Sequence, residues 1–193
     1  MPYYRTNFSM RVANYLRKLT LLDGVLFLGT LCIVVWLKLS LTLSAPAELA
    51  WILSPTMYMV KAFTGMQFFF DPAKGYINNE TAVVIGTSCS GVNYLIIALC
   101  MTLFSFVPRF TGQKLPVCAV LILAAYIVTV MVNSFRIIGS IALLHAARQF
   151  KFVITDSVHE AIGIFVYFSF LVLYYASLQA LIGRRGESNQ GAV

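Results

Sequence analysis

Charged residues are scarce in this sequence, which has 193 residues, 11% of them charged and 60% hydrophobic. A soluble domain is about a quarter charged and about half apolar, so this chain needs lipid to cover its apolar side chains. Acidic residues are the scarcer sign, and the formal net charge is +7. Because the basic residues flank apolar runs, we expect the lipid bilayer, and not nucleic acid, as their partner.

Paired cysteines are missing as well. The four cysteines are Cys32, Cys89, Cys100 and Cys118. Without a C-x-x-C pair, a disulfide scaffold, a zinc ribbon and a disulfide-forming redox enzyme are all disfavoured. Three of the four lie deep in apolar runs, where a free cysteine usually behaves as a small hydrophobic side chain. The chain also has 2 histidines, too few for a Cys/His cluster, so we expect no metal and no cofactor.

Long apolar runs predict an all-α membrane protein, a polytopic transmembrane helical bundle that forms a single domain over residues 1–193. The predicted spans are 19–43, 88–107, 115–144 and 158–182. Each is close to or longer than the ~20 residues that cross a bilayer. The first run is too long for a signal-peptide core and lacks a small-residue cleavage site, so we expect it to stay as a span.

Segment 46–66 is apolar but carries Glu48, Pro55 and Lys61. We interpret it as an interfacial or re-entrant helix, with a full span as the alternative. Segment 44–87, which contains this helix and the polar stretch 67–86, and the polar segment 145–157 are predicted as outer loops. Within the first, the β-branched run 81–85 predicts a short extended strand.

The orientation follows from three basic clusters, which lie in segment 1–18, in the turn 108–114 and in the C-terminal tail. Cytoplasmic segments carry the excess of Lys and Arg, and four spans place all three clusters on one side. Both termini are then cytoplasmic, segment 1–18 follows the cytoplasmic surface, and the two polar loops lie outside. If 46–66 were a full span, the first cluster would face away from the other two.

Three polar residues come from different spans and share the outer boundary: Cys89, Arg136 and His159. Ionisable groups near apolar spans are costly and usually functional. Cys89 is predicted in the first turn of a helix, where the macrodipole favours a negatively charged thiolate. A buried cysteine with a packing role is the alternative interpretation.

Arg136 interrupts about 20 residues without another charge, which topology alone does not explain. Asn133 and Ser140 lie three residues before and four after it, on one helix face, where they could hold the guanidinium. The alternative is an arginine that reaches toward lipid phosphate.

His159 can exchange protons near neutral pH, and Asp156 and Glu160 are close enough in sequence to orient it. The alternative is an interfacial histidine without a task. His145 is a weaker candidate, because no polar helix face accompanies it. A thiol, an imidazole and a fixed cation together suffice for acyl transfer.

The blocks around these residues also resemble a known family. They are SCSGVNY at 88–94, N-x-x-R-I at 133–137 and H-x-x-x-G at 159–163. In order, spacing and placement at span ends they resemble the exosortase/archaeosortase family, most closely its short bacterial exosortase K type. The resemblance covers roughly residues 46–182.

This resemblance implies a membrane-embedded cysteine transpeptidase or protease of the bacterial cytoplasmic membrane. Its substrates would be exported surface proteins with a C-terminal sorting signal: a short motif, a transmembrane helix and a basic tail. Cys89 would be the nucleophile that forms a thioester, Arg136 the cationic stabiliser and His159 the acid/base. Supporting roles would fall to Ser90, Asn93, Asn133 and Ser140.

Other functions remain open beside this one. A small transporter with Arg136 as an anion site predicts polar residues along several spans and an internal repeat, and the sequence has neither. A metal site from Cys89 and His159 would have too few ligands. A non-catalytic membrane assembly protein is the remaining alternative.

Overall fold

The structure is a computed structural model that describes residues 21–42, 44–81, 83–107, 114–150 and 156–190. Within these ranges the side chains at several helix ends, including those of 147–150, 156–160 and 183–190, are outside the description, as is that of His145. The predicted basic segment 1–18 and most of the predicted turn 108–114 also lie outside the described residues.

Five helices account for most of the described chain. They are α1 Leu21–Thr42, α2 Ala50–Thr64, α3 Val92–Phe106, α4 Lys114–Phe150 and α5 Asp156–Gln190. Three segments are long and apolar enough to cross a membrane: Thr87–Phe106, Lys114–Leu144 and Gly163–Ile182. The prediction of a largely helical chain with membrane-length helices is therefore confirmed, with three such helices in the described residues.

The predicted first span coincides with α1, which has 22 residues. Its apolar part among the described residues, Phe27–Ser40, is shorter than the 18 residues required of a candidate span. The fourth span therefore stays a prediction. Helix α2 has 15 residues and contains Pro55. It is about 22 Å long at 1.5 Å per residue, less than the ~30 Å of hydrocarbon that a span must cross.

The predicted polar loop 145–157 is wrong in most of its extent. Helix α4 runs on to Phe150, and α5 already begins at Asp156. The polar composition marks where the apolar stretch ends, but residues 141–158 contain neither Gly nor Pro to stop a helix. A helix keeps its backbone hydrogen bonds where its side chains become polar, so α4 extends beyond its apolar part, which ends at Leu144.

A small sheet corrects the all-α prediction. Strands β1 Phe69–Asp71, β2 Gly75–Asn78 and β3 Val83–Ile85 form an antiparallel meander inside the segment predicted as a loop. Phe69 pairs with Ile77, and Tyr76 pairs with Ile85. Strand β3 falls within the run predicted to be extended.

The turn between β1 and β2 has a local cause. The carboxylate of Asp71 accepts hydrogen bonds from the backbone N–H groups of Ala73, at 2.7 Å, and Lys74, at 3.2 Å. Gly75 follows with φ of 98°, a left-handed conformation that favours glycine. Such short-range turn bonds explain why a polar segment forms strands despite its composition.

Helix α4 is the centre of the bundle and packs against α2, α3 and α5, while α1 packs against α3. The α1 and α3 axes are antiparallel, because Phe27 contacts Phe104 and Lys38 contacts Asn93. We call the end containing residues 87–93, 133–140 and 163–167 the site end. The opposite end, with residues 103–107, 117–121 and 175–182, is the turn end, where α3 leads to α4.

Candidate functional site

Cys89 lies at the end of a short 3₁₀ helix, Thr87–Cys89, and not in the first turn of an α-helix as predicted. Helix α3 starts at Val92 after Gly91, whose φ of 75° is left-handed. This glycine breaks the helix geometry, so the cysteine stands in a separate turn. The thiol is half-buried, and its Sγ accepts a weak hydrogen bond from the hydroxyl of Ser88 at 3.9 Å.

Asn133 anchors the cysteine turn to α4. Its amide Nδ2 donates to the backbone carbonyl of Cys89 at 2.6 Å. Asn133 is 0% exposed, so water does not compete for this bond. A Cβ at Gly91 would lie 3.0 Å from Cγ of Asn133. Gly91 is therefore required both for its left-handed backbone and for the close approach of Asn133.

Arg136 lies on the same helix, and its guanidinium is held by Tyr167 of α5. Nη1 donates to the Tyr167 hydroxyl at 3.1 Å, and the guanidinium carbon is 5.0 Å from the centre of the Tyr167 ring. The second distance is within cation–π range. Among the described side chains, no carboxylate forms an ion pair with Arg136.

The predicted supporting residues of Arg136 differ in their roles. Ser140 donates to the backbone carbonyl of Arg136 at 2.9 Å, so it does not hold the guanidinium as predicted. Asn133 reaches Arg136 indirectly, since the Tyr167 hydroxyl donates to Oδ1 of Asn133 at 2.8 Å. Four residues of three helical segments thus form one connected chain of hydrogen bonds.

Tyr167 is a site residue that was not predicted from the sequence. It is one of 10 tyrosines and lies in an apolar helix, where an aromatic side chain does not by itself indicate a functional site. Its spacing carried a signal, because it follows Gly163 by four residues and His159 by eight. Positions four residues apart share a helix face, so the face of the H-x-x-x-G block continues to Tyr167.

Gly163 makes room for the guanidinium. A Cβ at this position would lie 2.7 Å from Nε of Arg136, closer than side chains pack. The glycine is buried inside α5, two turns after its start, where it costs helix stability relative to alanine. The close passage of Arg136 is a physical reason for that cost, and it accounts for the glycine of the predicted block.

His159 belongs to the first turns of α5, one turn before Gly163. Its side chain lies outside the described residues, together with those of Asp156 and Glu160. The structure therefore brings together Cys89, Asn133 and Arg136 of the predicted site, and it adds Tyr167. The imidazole is not part of the described geometry.

A pocket of about 480 Å³ opens at the site end. Its wall includes Lys38, Thr87, Ser88, Ser90, Asn93, Arg136 and Tyr167. Asn93, predicted as a supporting residue, accepts a hydrogen bond from Nζ of Lys38 at 2.7 Å. Cys89 is not itself a wall residue, but it stands between Ser88 and Ser90, which both are.

The charge of this wall favours an anionic ligand. Two cations, Lys38 and Arg136, face the pocket from different helices, and the described wall residues include no carboxylate. The hydroxyl and amide groups around them can donate further hydrogen bonds. In the described part of the chain, no group of three or more His, Cys, Asp or Glu could hold a metal ion.

Comparison with known proteins returned no match, whether to a family model, to a curated protein or to a solved structure.

Proposed function

We propose that this chain is a membrane-embedded cysteine transpeptidase or protease of the exosortase kind. It would cleave the C-terminal sorting signal of exported surface proteins. The observation that carries the proposal is the chain of hydrogen bonds that joins the turn of Cys89 to Arg136 beside a polar pocket. A thiol and a cationic guanidinium from different helical segments are thus joined by three hydrogen bonds, which supports a reaction that uses both.

In the proposed reaction the Cys89 thiolate attacks the carbonyl carbon of the scissile peptide. The oxyanion that develops accepts hydrogen bonds from N–H groups of Arg136 that Tyr167 does not use. His159 gives a proton to the leaving amine, the C–N bond breaks, and a thioester remains. Water or an acceptor amine then attacks the thioester and gives a proton to the now neutral His159, the C–S bond breaks, and the product leaves with the thiolate and the protonated imidazole restored.

The proposed topology has four spans, with α1 as the additional one. Lys38 of α1 contacts Asn93 at the site end, while Phe27 contacts Phe104 nearer the turn end. This antiparallel arrangement is the one expected of two successive spans separated by a helix too short to cross. The turn end is then cytoplasmic, next to the basic turn 108–114, and the site end faces outward in the bacterial cytoplasmic membrane.

A transporter with Arg136 as an anion site is the second candidate, and the two cations of the pocket favour it. A transport path, however, requires polar groups through the whole bundle. At the turn end, Leu103, Phe106, Val107 and Leu121 form a buried apolar cluster instead. The cations Lys38 and Arg136 lie at the other end of the bundle, which supports a surface reaction over passage.

The decisive test is Cys89→Ala, with Cys100→Ala as the matched control in the apolar part of α3. We expect Cys89→Ala to abolish processing of a co-expressed substrate with a C-terminal sorting signal, while both variants still insert in the membrane. Mass spectrometry of the substrate's new C-terminus reports the cleavage. Normal processing by the Cys89→Ala variant would refute the thiol mechanism.

A further inference from the structure

We propose that Tyr167 is a positioning residue that couples the Arg136 guanidinium to the Cys89 turn through Asn133. Its hydroxyl is the link between the two, since it contacts Nη1 of Arg136 at 3.1 Å and Oδ1 of Asn133 at 2.8 Å. The catalytic consequence rests on the proposed function, but the coupling itself is a property of the site's geometry.

The direction of every bond in this chain is determined by its two ends. An arginine can only donate, and a backbone carbonyl can only accept. The Tyr167 oxygen therefore accepts from Arg136, and its single proton goes to Oδ1 of Asn133. With Oδ1 turned toward Tyr167, the Nδ2 group of Asn133 must face the Cys89 carbonyl, at 2.6 Å.

Burial restricts the Asn133 amide to this one orientation. Asn133 has no exposed surface, and Gly91 presses against its side chain, so the amide has little freedom to find another partner. When a buried donor or acceptor loses its hydrogen-bond partner, the free-energy cost of having removed it from water is no longer offset. Removal of the Tyr167 hydroxyl would therefore disturb Asn133 and, through it, the backbone that carries the thiol.

A packing role for the ring is the competing explanation. The Tyr167 ring lies 5.1 Å from the ring of Tyr94, and the guanidinium carbon of Arg136 lies over its face. Tyr167→Phe keeps the ring and both of these contacts and removes only the hydroxyl. The substitution therefore separates the positioning role from packing.

The first measurement is the rate at which Cys89 of the full chain reacts with N-ethylmaleimide in detergent micelles. Mass spectrometry of the labelled peptides resolves Cys89 from the other three cysteines. Tyr175→Phe is the matched control, because Tyr175 lies on the same helix and its hydroxyl bonds only to Gln179 among the described residues.

We expect Tyr167→Phe to raise the Cys89 alkylation rate by about threefold or more, because the turn loses its anchor, and Tyr175→Phe to leave it unchanged. An alkylation rate for Tyr167→Phe within experimental error of the parent would overturn the proposal. If Tyr167→Phe does not accumulate, Asn133→Ser, which breaks the same chain at its next link, takes its place with the same two outcomes.

A double-substitution cycle tests the coupling directly. Asn133→Ser alone should raise the alkylation rate as Tyr167→Phe does, and the double variant should be no faster than the faster single one. Multiplicative rates in the double variant would mean that the two residues act independently, which would overturn the proposed link.

Failure of this inference is distinguishable from failure of the proposed function, because alkylation needs no substrate. If the chain is the proposed enzyme, Tyr167→Phe should also lower kcat for processing about tenfold with little change in KM, since it disturbs alignment and not binding. Normal processing in Cys89→Ala would refute the enzyme while an altered alkylation rate in Tyr167→Phe would still support the coupling.

Discussion

The two ends of the bundle are built by the same three helices, α3, α4 and α5, yet they differ in chemistry. At the site end, Asn133 and Arg136 contact the Cys89 turn and Tyr167 through directed hydrogen bonds. At the turn end, Phe106 packs against Tyr175 and forms a buried apolar cluster with Leu103, Val107 and Leu121. Directed hydrogen bonds determine how the helices fit together at the site end, and the packing of apolar side chains determines it at the turn end.

This difference separates two physical tasks. Apolar packing holds the helices together without polar groups that would need partners in lipid. Buried polar side chains are costly in that environment, and at the site end the side chains of Asn133, Arg136 and Tyr167 each have a hydrogen-bond partner. We therefore expect substitutions at the turn end to alter mainly stability, and those at the site end to alter mainly activity.

The largest effect is expected for Arg136→Gln, which removes the fixed cation. If the chain is the proposed enzyme, processing should fall about a hundredfold, because a preorganised donor to the developing oxyanion is lost. Arg136→Lys should fall nearly as far, since an ammonium lacks the planar fork that donates to Tyr167 and to the substrate together. Cleavage assays normalised to inserted protein provide the measurement. Full activity of Arg136→Lys would show that charge alone suffices at this position.

The next effect concerns the turn end. Phe106 is 0% exposed, and Phe106→Ala should lower the free energy of unfolding by about 3 kcal/mol through the cavity it leaves. Processing per folded molecule should stay at the parent level. Unfolding in mixed micelles measures the stability.

Leu123→Ala on the exposed surface of α4 is the control for Phe106→Ala, and its stability should stay near that of the parent. A loss of specific activity in Phe106→Ala would contradict the separation of the two ends.

The smallest effect is the most discriminating one. Gly163→Ala places a Cβ 2.7 Å from Nε of Arg136, so the guanidinium must move, and processing should fall about tenfold. Helix propensity favours alanine over glycine by up to ~1 kcal/mol, so stability should not fall.

Gly139→Ala on α4 is the matched control, because its Cβ would meet nothing within 4 Å. It should raise stability by roughly 0.5–1 kcal/mol and leave processing unchanged. Equal losses of activity in Gly139→Ala and Gly163→Ala would mean that contact with Arg136 is not the cause.

The membrane-length helices, and the meeting of Cys89 and Arg136 at one end, were predicted from the sequence, but three local features were predicted wrongly. Helix α4 was expected to end where polar residues begin, Cys89 was expected inside an α-helix, and strands β1 and β2 were expected to be loop, whereas the extended run that contains β3 was predicted. In each case composition was taken as a sign of local structure. Helix ends and strands here depend instead on glycine geometry and on short-range bonds such as those of Asp71.

The order, length and polarity of the apolar helices can be predicted from the amino-acid sequence alone, because crossing lipid requires an uninterrupted run of apolar residues. The partner of Arg136 could not be predicted in this way. Tyr167 meets Arg136 and Asn133 only because α5 packs against α4 at the depth that Gly163 allows. Hydrogen bonds depend on distance and angle between different helices, and these are determined by the packing of the helices in three dimensions.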